Sequence, residues 1–184
     1  TTTPVLRRLT ADQYRNTLSD WFGPSLLTPA TLEPDVRNEG LFAVGAAIGG
    51  LSSLGAEQYF KGAKNVAGQL IDFASLRSIL VTCDAVSDPD GCLASTLDSW
   101  AERLWRRPIT DAERARTLSV AQGAISTLGD FDEGLRYGMM AILASPNFVY
   151  THAGRGDSEA VRPYTGFEMA ERLALFLWAS GPDQ

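Results

Sequence analysis

The stretch "CLASTLDSWAERLWRRPITDAE", residues 92–113, contains the signals that decide the fold. Apolar side chains recur at helical spacing over residues 92–106, and an arginine-proline pair ends that helix because proline disfavours helical backbone in the residue before it. Thr110 then begins a capping box with Glu113, in which each side chain bonds the backbone N–H of the other residue. One helix ends and the next begins within five residues, as in a helical bundle.

The same capping pattern occurs at two other places in the chain. Thr10 is followed three residues later by Gln13, and Thr165 by Glu168. Period-2 alternation of apolar residues over four or more residues, which would indicate strands, is hard to find in the sequence. We therefore predict an all-α protein of about six to eight helices. The predicted helices cover residues 11–22, 56–74, 92–106, 111–128, 131–144 and 166–180.

The segments between these helices are predicted to be irregular. Residues 24–41 contain three prolines and should wrap over the surface, and residues 153–164 should form a polar connection. The core should be built from the large apolar side chains on the helical stripes. We expect it to include Trp21, Phe60, Leu70, Trp100, Leu104, Leu143, Leu173 and Phe176.

Composition excludes several classes of protein. The chain has 184 residues and a formal net charge of −6 at pH 7, whereas a nucleic-acid-binding domain shows a basic stripe. The longest apolar run covers residues 173–178, far short of the roughly 20 residues that a transmembrane helix needs. We expect neither a nucleic-acid partner nor a transmembrane segment.

The two cysteines of the chain, Cys83 and Cys92, bound the loop "CDAVSDPDGC". A disulfide between them would stabilise the fold by roughly 2–3 kcal/mol and would indicate an oxidising compartment, periplasmic or extracellular. Two free thiols are the alternative. A zinc site is not expected, because no third cysteine and no nearby histidine is present.

Loop residues next to helix ends are the candidates for ligand binding, since such positions often face ligands. Several have a simpler structural explanation. The segment 33–40 could be a solvated loop, the two adjacent arginines could pair with the next helix cap or a neighbouring helix, and the histidine could lie in a solvated loop or at a helix C-cap. No catalytic residue and no metal ligand is assigned. The candidates are Arg37, Asn38, Arg106, Arg107, Asn147, Tyr150 and His152.

Familiar motifs of catalysis and cofactor binding are missing. The glycine-rich "GLFAVGAAIGGLSSLG", residues 40–55, lacks the spacing of a phosphate-binding loop. The chain has no G-x-S-x-G, no H-E-x-x-H and no C-x-x-C-H, so a hydrolase elbow, a zinc protease and a covalent c-type haem in this chain are unsupported.

Several stretches in order resemble a family of secreted proteins of planctomycetes and myxobacteria, built from consecutive modules of unknown function. "RRLTADQYRNTLSDWFG" and "LGAEQYFKGAKNVA" are similar to the first module, and the stretch quoted at the outset is similar to the second. "GLRYGMMAILASPNFVYTHAG" and "GFEMAERLALFLWASGPD" resemble the start of the third. The resemblance implies modules over 1–75, 76–128 and 129–184, packed as one globular unit.

The same resemblance implies an exported protein that often accompanies c-type cytochrome domains. Any haem would then belong to a partner chain or domain, and the cofactor itself stays unknown. The function we expect is that of the N-terminal helical part of an exported, redox-linked enzyme of unknown reaction. Two alternatives stay open: a non-catalytic scaffold that binds polysaccharide or protein, and a subunit of an autoprocessed hydrolase.

The apolar run Leu173–Trp178 needs a cover, because a helix that is apolar on all sides belongs in an interior. Members of the family continue beyond the matching Pro-Asp string, and this sequence stops at Gln184. We expect a C-terminal chain of the same precursor, cut near residues 181–184, to dock on this helix. The alternatives are a sequence that simply stops there and a short member that buries the run in its own core.

Overall fold

The architecture is that of a helical bundle. The structure is a computed structural model, and it describes residues 6–38, 40, 42, 46, 50–151 and 163–182. These ranges contain no β-strand, and an isolated antiparallel bridge joins Arg8 to Tyr150. The all-α prediction is confirmed. Eight helices have described bounds: α1 (Ala11–Phe22), α2 (Ser53–Asp72), α3 (Ala74–Leu80), α4 (Pro89–Trp105), α5 (Asp111–Leu128), α6 (Phe131–Leu143), α7 (Pro146–Val149) and α8 (Gly166–Leu177).

The three capping boxes all form, and they set the starts of α1, α5 and α8 as predicted. Helices α2 and α4 begin three residues earlier than the apolar pattern indicated. Ser52 caps α2, and Asp88 with Pro89 starts α4, so polar caps extend both helices beyond their apolar stripes. The short helices α3 and α7 were not predicted.

Helix α6 lies at the centre of the bundle and packs against α2, α4, α5 and α7. Its glycines allow this close packing. A Cβ atom at Gly138 would lie 2.7 Å from a methyl group of Leu97 on α4 and 3.3 Å from the Cβ of Ala121 on α5. The absence of a side chain there lets three helices meet at one point.

The predicted core residues divide into three groups. Leu70, Trp100, Leu104 and Leu143 are buried as expected, and Trp21 is only partly buried against the core. The prediction was wrong for Phe60, Leu173 and Phe176, which are 50%, 50% and 83% exposed. Phe60 follows the buried Tyr59 and points about 100° away from it around the helix, which turns it out of the core.

The N-terminal segment is tied to the end of α7 and to the irregular wrap. The backbone N–H of Leu9 donates to the carbonyl of Val149 at 2.8 Å. The buried guanidinium of Arg8 donates to the hydroxyl of Tyr59 at 2.8 Å and to Asp35 at 2.9 Å. Residues 24–38 of the wrap form no helix, as predicted. Most of the predicted connection at 153–164 lies outside the described residues.

The disulfide alternative for the two cysteines is confirmed. Cys83 and Cys92 are bonded, with their Cα atoms 5.5 Å apart. The bond joins the segment after α3 to the first turn of α4, and it anchors the start of a helix that runs through the core. Among the described helices, none is both long enough and apolar enough to cross a membrane.

Candidate functional site

Helix α8 exposes most of its large apolar residues and buries both of its acidic ones. Glu168 and Glu171 are buried, whereas Phe176, Leu177 and Leu173 are 83%, 59% and 50% exposed. A surface helix of a globular protein normally does the reverse. The side of α8 that faces the described core therefore contains both glutamates, and its largest apolar side chains face outward.

The exposed residues form one continuous stripe. Met169, Leu173, Phe176 and Leu177 stand at positions i, i+4, i+7 and i+8, so they share one face of the helix. Trp178, the C-cap just after the helix, is also 70% exposed. We call these five residues the apolar face. Contiguous exposed apolar surface is typical of sites that contact another polypeptide or a ligand.

A buried ion pair holds the opposite side of α8 in place. The Nε of Arg106 lies 2.5 Å from a carboxylate oxygen of Glu171, and both side chains are almost fully buried. Arg106 is the C-cap of α4, with a left-handed backbone at φ 59°. Its guanidinium also donates to the carbonyls of Phe148 and Tyr150. One side chain thus joins the end of α4, the segment around α7, and α8.

Arg106 and Arg7 both interact electrostatically with Glu171. Burial of the side chain lowers the pKa of Arg7. The charge of Glu171 raises that pKa, whereas the charges of Arg172 and Arg106 lower it. Three arginines thus lie close enough to Glu171 or to each other to interact electrostatically. This arrangement explains why a carboxylate on α8 is buried there, since a buried charge needs compensation from its neighbours.

A second ion pair organises the start of α5. The guanidinium of Arg107 donates to both carboxylate oxygens of Glu113, at 2.6 and 2.9 Å. The side-chain amide of Asn147 donates to the same carboxylate at 3.0 Å. The Arg107 hydrogen bonds are the main reason that the pKa of Glu113 falls to about 2. The structural explanation for the two adjacent arginines, pairing with the next cap and with a neighbouring helix, is confirmed.

Hydrogen bonds to α1 complete the attachment of α8. The side-chain amide of Gln13 donates to the carbonyl of Leu175 at 3.1 Å, and that of Asn16 donates to the carbonyl of Ala179 at 3.1 Å. The backbone N–H of Gly181 donates to the hydroxyl of Thr17 at 2.9 Å. Polar contacts and the ion pair therefore hold α8 while its apolar face stays outside.

The structure brings together four of the seven residues predicted to contact a ligand. Arg106, Arg107, Asn147 and Tyr150 lie at the junction of α4, α5 and α7. Within the described chain, Arg37 lies over the ring of Phe42 at 4.4 Å and forms no hydrogen bond to this junction, nor does Asn38. His152 lies outside the described residues. A ligand at any of these positions stays a prediction.

Sequence reasoning missed the partner of Arg106. Glu171 lies three and four residues before the buried Ala174 and Leu175, so it shares their face of the helix. An acidic residue at such a position signals a buried pair with a cation. The arginine partner, 65 residues earlier, could not be identified from spacing alone.

Two family models match this chain. Residues 7–72 match PSD3, a protein of unknown function (DUF1587), and residues 92–152 match PSD5, a protein of unknown function (DUF1595). Both families are known from planctomycete-type proteins, which confirms the resemblance at that level. No curated protein and no solved structure matches the chain. Helix α8 lies beyond both matched segments, and the predicted module boundaries stay a prediction.

Proposed function

We propose that this chain is the helical N-terminal part of a larger exported protein, and that its apolar face on α8 binds the polypeptide that continues the same precursor. The observation that carries the proposal is the reversed burial of α8. The large side chains of Phe176 and Trp178 are exposed, while Glu171 is buried in an ion pair. The similarity of residues 166–183 to the start of a third module supports a continuation of the same precursor as the occupant.

Export is proposed from the disulfide. Both cysteines of the chain are joined to each other, and disulfides persist in oxidising compartments. The buried position of Cys92 in the first turn of α4 gives the bond a structural role. We therefore propose that the protein is periplasmic or extracellular.

A redox-linked reaction, completed by the continuing polypeptide, is the specific form of the proposal. The described residues of this chain do not fit a haem. They contain no histidine, and the two cysteines have no free thiolate to offer, so the usual nitrogen and thiolate ligands are missing from them. Any haem would be held by the continuing chain or a partner, and no step is assigned to it.

A photocrosslinking experiment tests the occupant of the apolar face. A benzophenone amino acid is placed at position 176 in the full precursor, expressed in its natural host. The control places it at Val86, which is 93% exposed against 83% for Phe176. We expect crosslinks from position 176 to join segments C-terminal to residue 184 of the same precursor. Crosslinks to a second copy or an unrelated protein, or equal yields at the two positions, would overturn the proposal.

The absorption spectrum of the natively purified precursor tests the redox part separately. A Soret band that co-purifies with the continuing polypeptide is the expected result. Colourless, metal-free protein that retains polysaccharide or another protein would favour the scaffold alternative. A continuing chain that begins with Ser, Thr or Cys and hydrolyses substrates would favour the autoprocessed hydrolase.

A further inference from the structure

A small cleft opens beside the disulfide, between α3, the segment that follows it, and α4. Its volume is about 130 Å³. Ser95, Ser99 and Arg103 line one side, and they share a face of α4 because they stand at i, i+4 and i+8. Ile79 and Thr82 line the opposite side. The cleft therefore combines an apolar wall, several hydroxyl groups and a guanidinium.

The guanidinium of Arg103 has no anionic partner in the described chain. It lies over the indole rings of Trp21 and Trp100, 5.4 and 5.0 Å from their centroids. Its Nε is buried and bonds to no described residue. By contrast, the buried arginines Arg8 and Arg106 both pair with carboxylates. The Nε of Arg8 is likewise buried without a partner, so what distinguishes Arg103 is that its guanidinium has no described carboxylate beside it.

The two indole rings hold this guanidinium in a fixed position. The rings of Trp21 and Trp100 stand at 84° to each other, with centroids 6.1 Å apart. The Nε1 of Trp100 donates to the carbonyl of Leu80 at 2.9 Å, which fixes that ring. Cation–π contact with both rings stabilises the charge without using its N–H donors. Arg103 is thus preorganised to donate to a ligand.

Two hydroxyl groups of the cleft are also available. Thr96 lies 3.4 Å from the Sγ of Cys83, and since a disulfide sulfur carries no hydrogen, the threonine must be the donor. Ser95 donates to the carbonyl of Cys92 at 3.2 Å. The hydroxyls of Ser99 and Thr82 form no hydrogen bond with any described residue.

We propose that this cleft binds the carboxylate end of a small hydroxy acid. Among the described residues that line it, Arg103 alone is charged, and a guanidinium binds a carboxylate through paired charge-assisted hydrogen bonds. The free hydroxyls of Ser99 and Thr82 match ligand hydroxyl groups. A cavity of about 150 Å³ accepts benzene, so this cleft suits a group of about six or seven heavy atoms, the size of glycerate.

Titration with D-glycerate, followed through the indole Nε1–H signals in ¹H–¹⁵N spectra, tests this proposal. We expect saturable shifts of the Trp100 and Trp21 signals and none of Trp105, whose indole bonds the carbonyl of Ile142. Glycerol, which has the same carbon skeleton without the carboxylate, should cause no such shifts. Equal shifts with glycerol, saturation by inorganic sulfate alone, or no response to glycerate would overturn the proposal.

Substitutions identify the groups responsible. Arg103→Met keeps an unbranched stem against the two rings and removes the guanidinium, and it should weaken glycerate binding at least about tenfold. Arg116→Met on the exposed surface of α5 is the matched control and should bind like the wild type. Ser99→Ala leaves the guanidinium intact and should weaken binding about threefold. Unchanged affinity in both cleft variants would contradict the proposed site.

Discussion

The Nε of Arg106 and the Oε1 of Glu171 lie 2.5 Å apart, although 65 residues separate them in the sequence. This ion pair fixes the last helix to the bundle with its acidic side inward. The same orientation turns Phe176 and Leu177 to the outside. The attachment of α8 and the exposure of its apolar face are therefore two consequences of one buried contact.

Removing one partner of this ion pair should lower the free energy of unfolding more than replacing both partners by apolar residues. Glu171→Gln leaves the guanidinium of Arg106 buried without its counter-charge, and the free energy of unfolding should fall by about 3–5 kcal/mol. The double variant Arg106→Met/Glu171→Leu removes both charges and should recover part of that loss. Urea denaturation of the single and double variants measures the difference. A double variant less stable than Glu171→Gln would contradict a stranded-charge explanation.

Truncation of two neighbouring residues of α8 should change the free energy of unfolding by very different amounts. Leu175 is 3% exposed, and Leu175→Ala should lower the free energy of unfolding by about 2–5 kcal/mol. Phe176 is 83% exposed, and Phe176→Ala should change it by less than about 0.5 kcal/mol in the isolated chain. Denaturation of both variants makes the comparison. Similar losses would mean that Phe176 is covered in the isolated chain.

The disulfide should contribute measurably to stability. It links residues nine apart in sequence, and on the loop-entropy model its removal costs about 2–3 kcal/mol. A reducing agent should lower the urea midpoint of the wild type and leave that of a Cys83→Ala/Cys92→Ala variant unchanged. Equal midpoints for reduced and oxidised wild type would show that the bond does not stabilise the fold.

The Arg107–Glu113 pair predicts a dependence on pH. The pKa of Glu113 falls from 4.5 to about 2 in the folded chain, so its ionised form stabilises the fold above pH 4.5. That contribution is lost as the pH falls from 4.5 towards 2. The stability difference between wild type and Glu113→Gln should therefore shrink over this range. A difference that stays constant through acid titration would contradict the role of the ion pair.

The starts of α1, α5 and α8 could be predicted from the sequence because helix capping depends only on neighbouring residues. Thr110 and Glu113, three residues apart, specify the first turn of α5 without reference to the rest of the fold. Helix α3 could not be predicted, because it has only seven residues, a short apolar pattern and no side-chain cap.

Contacts between distant helices could not be predicted from the sequence. The apolar pattern indicates that Leu173 and Phe176 favour a nonpolar environment. It does not indicate which part of the protein, or which partner, supplies that environment. The cation–π contacts of Arg103 with Trp21 and Trp100 depend on the packing of α1 against α4, which no spacing in the sequence encodes. The candidate site could thus be predicted where its residues lay at helix ends and not where distant helices meet.

Native and denaturing mass spectrometry of the protein purified from its natural source asks directly whether further polypeptide accompanies the apolar face of α8. We predict either a second polypeptide that stays bound to the 19.9 kDa chain under native conditions or a single longer chain that contains it. A lone 19.9 kDa species under both conditions would contradict the proposal. The apolar face of α8 would then be a free surface of the protein.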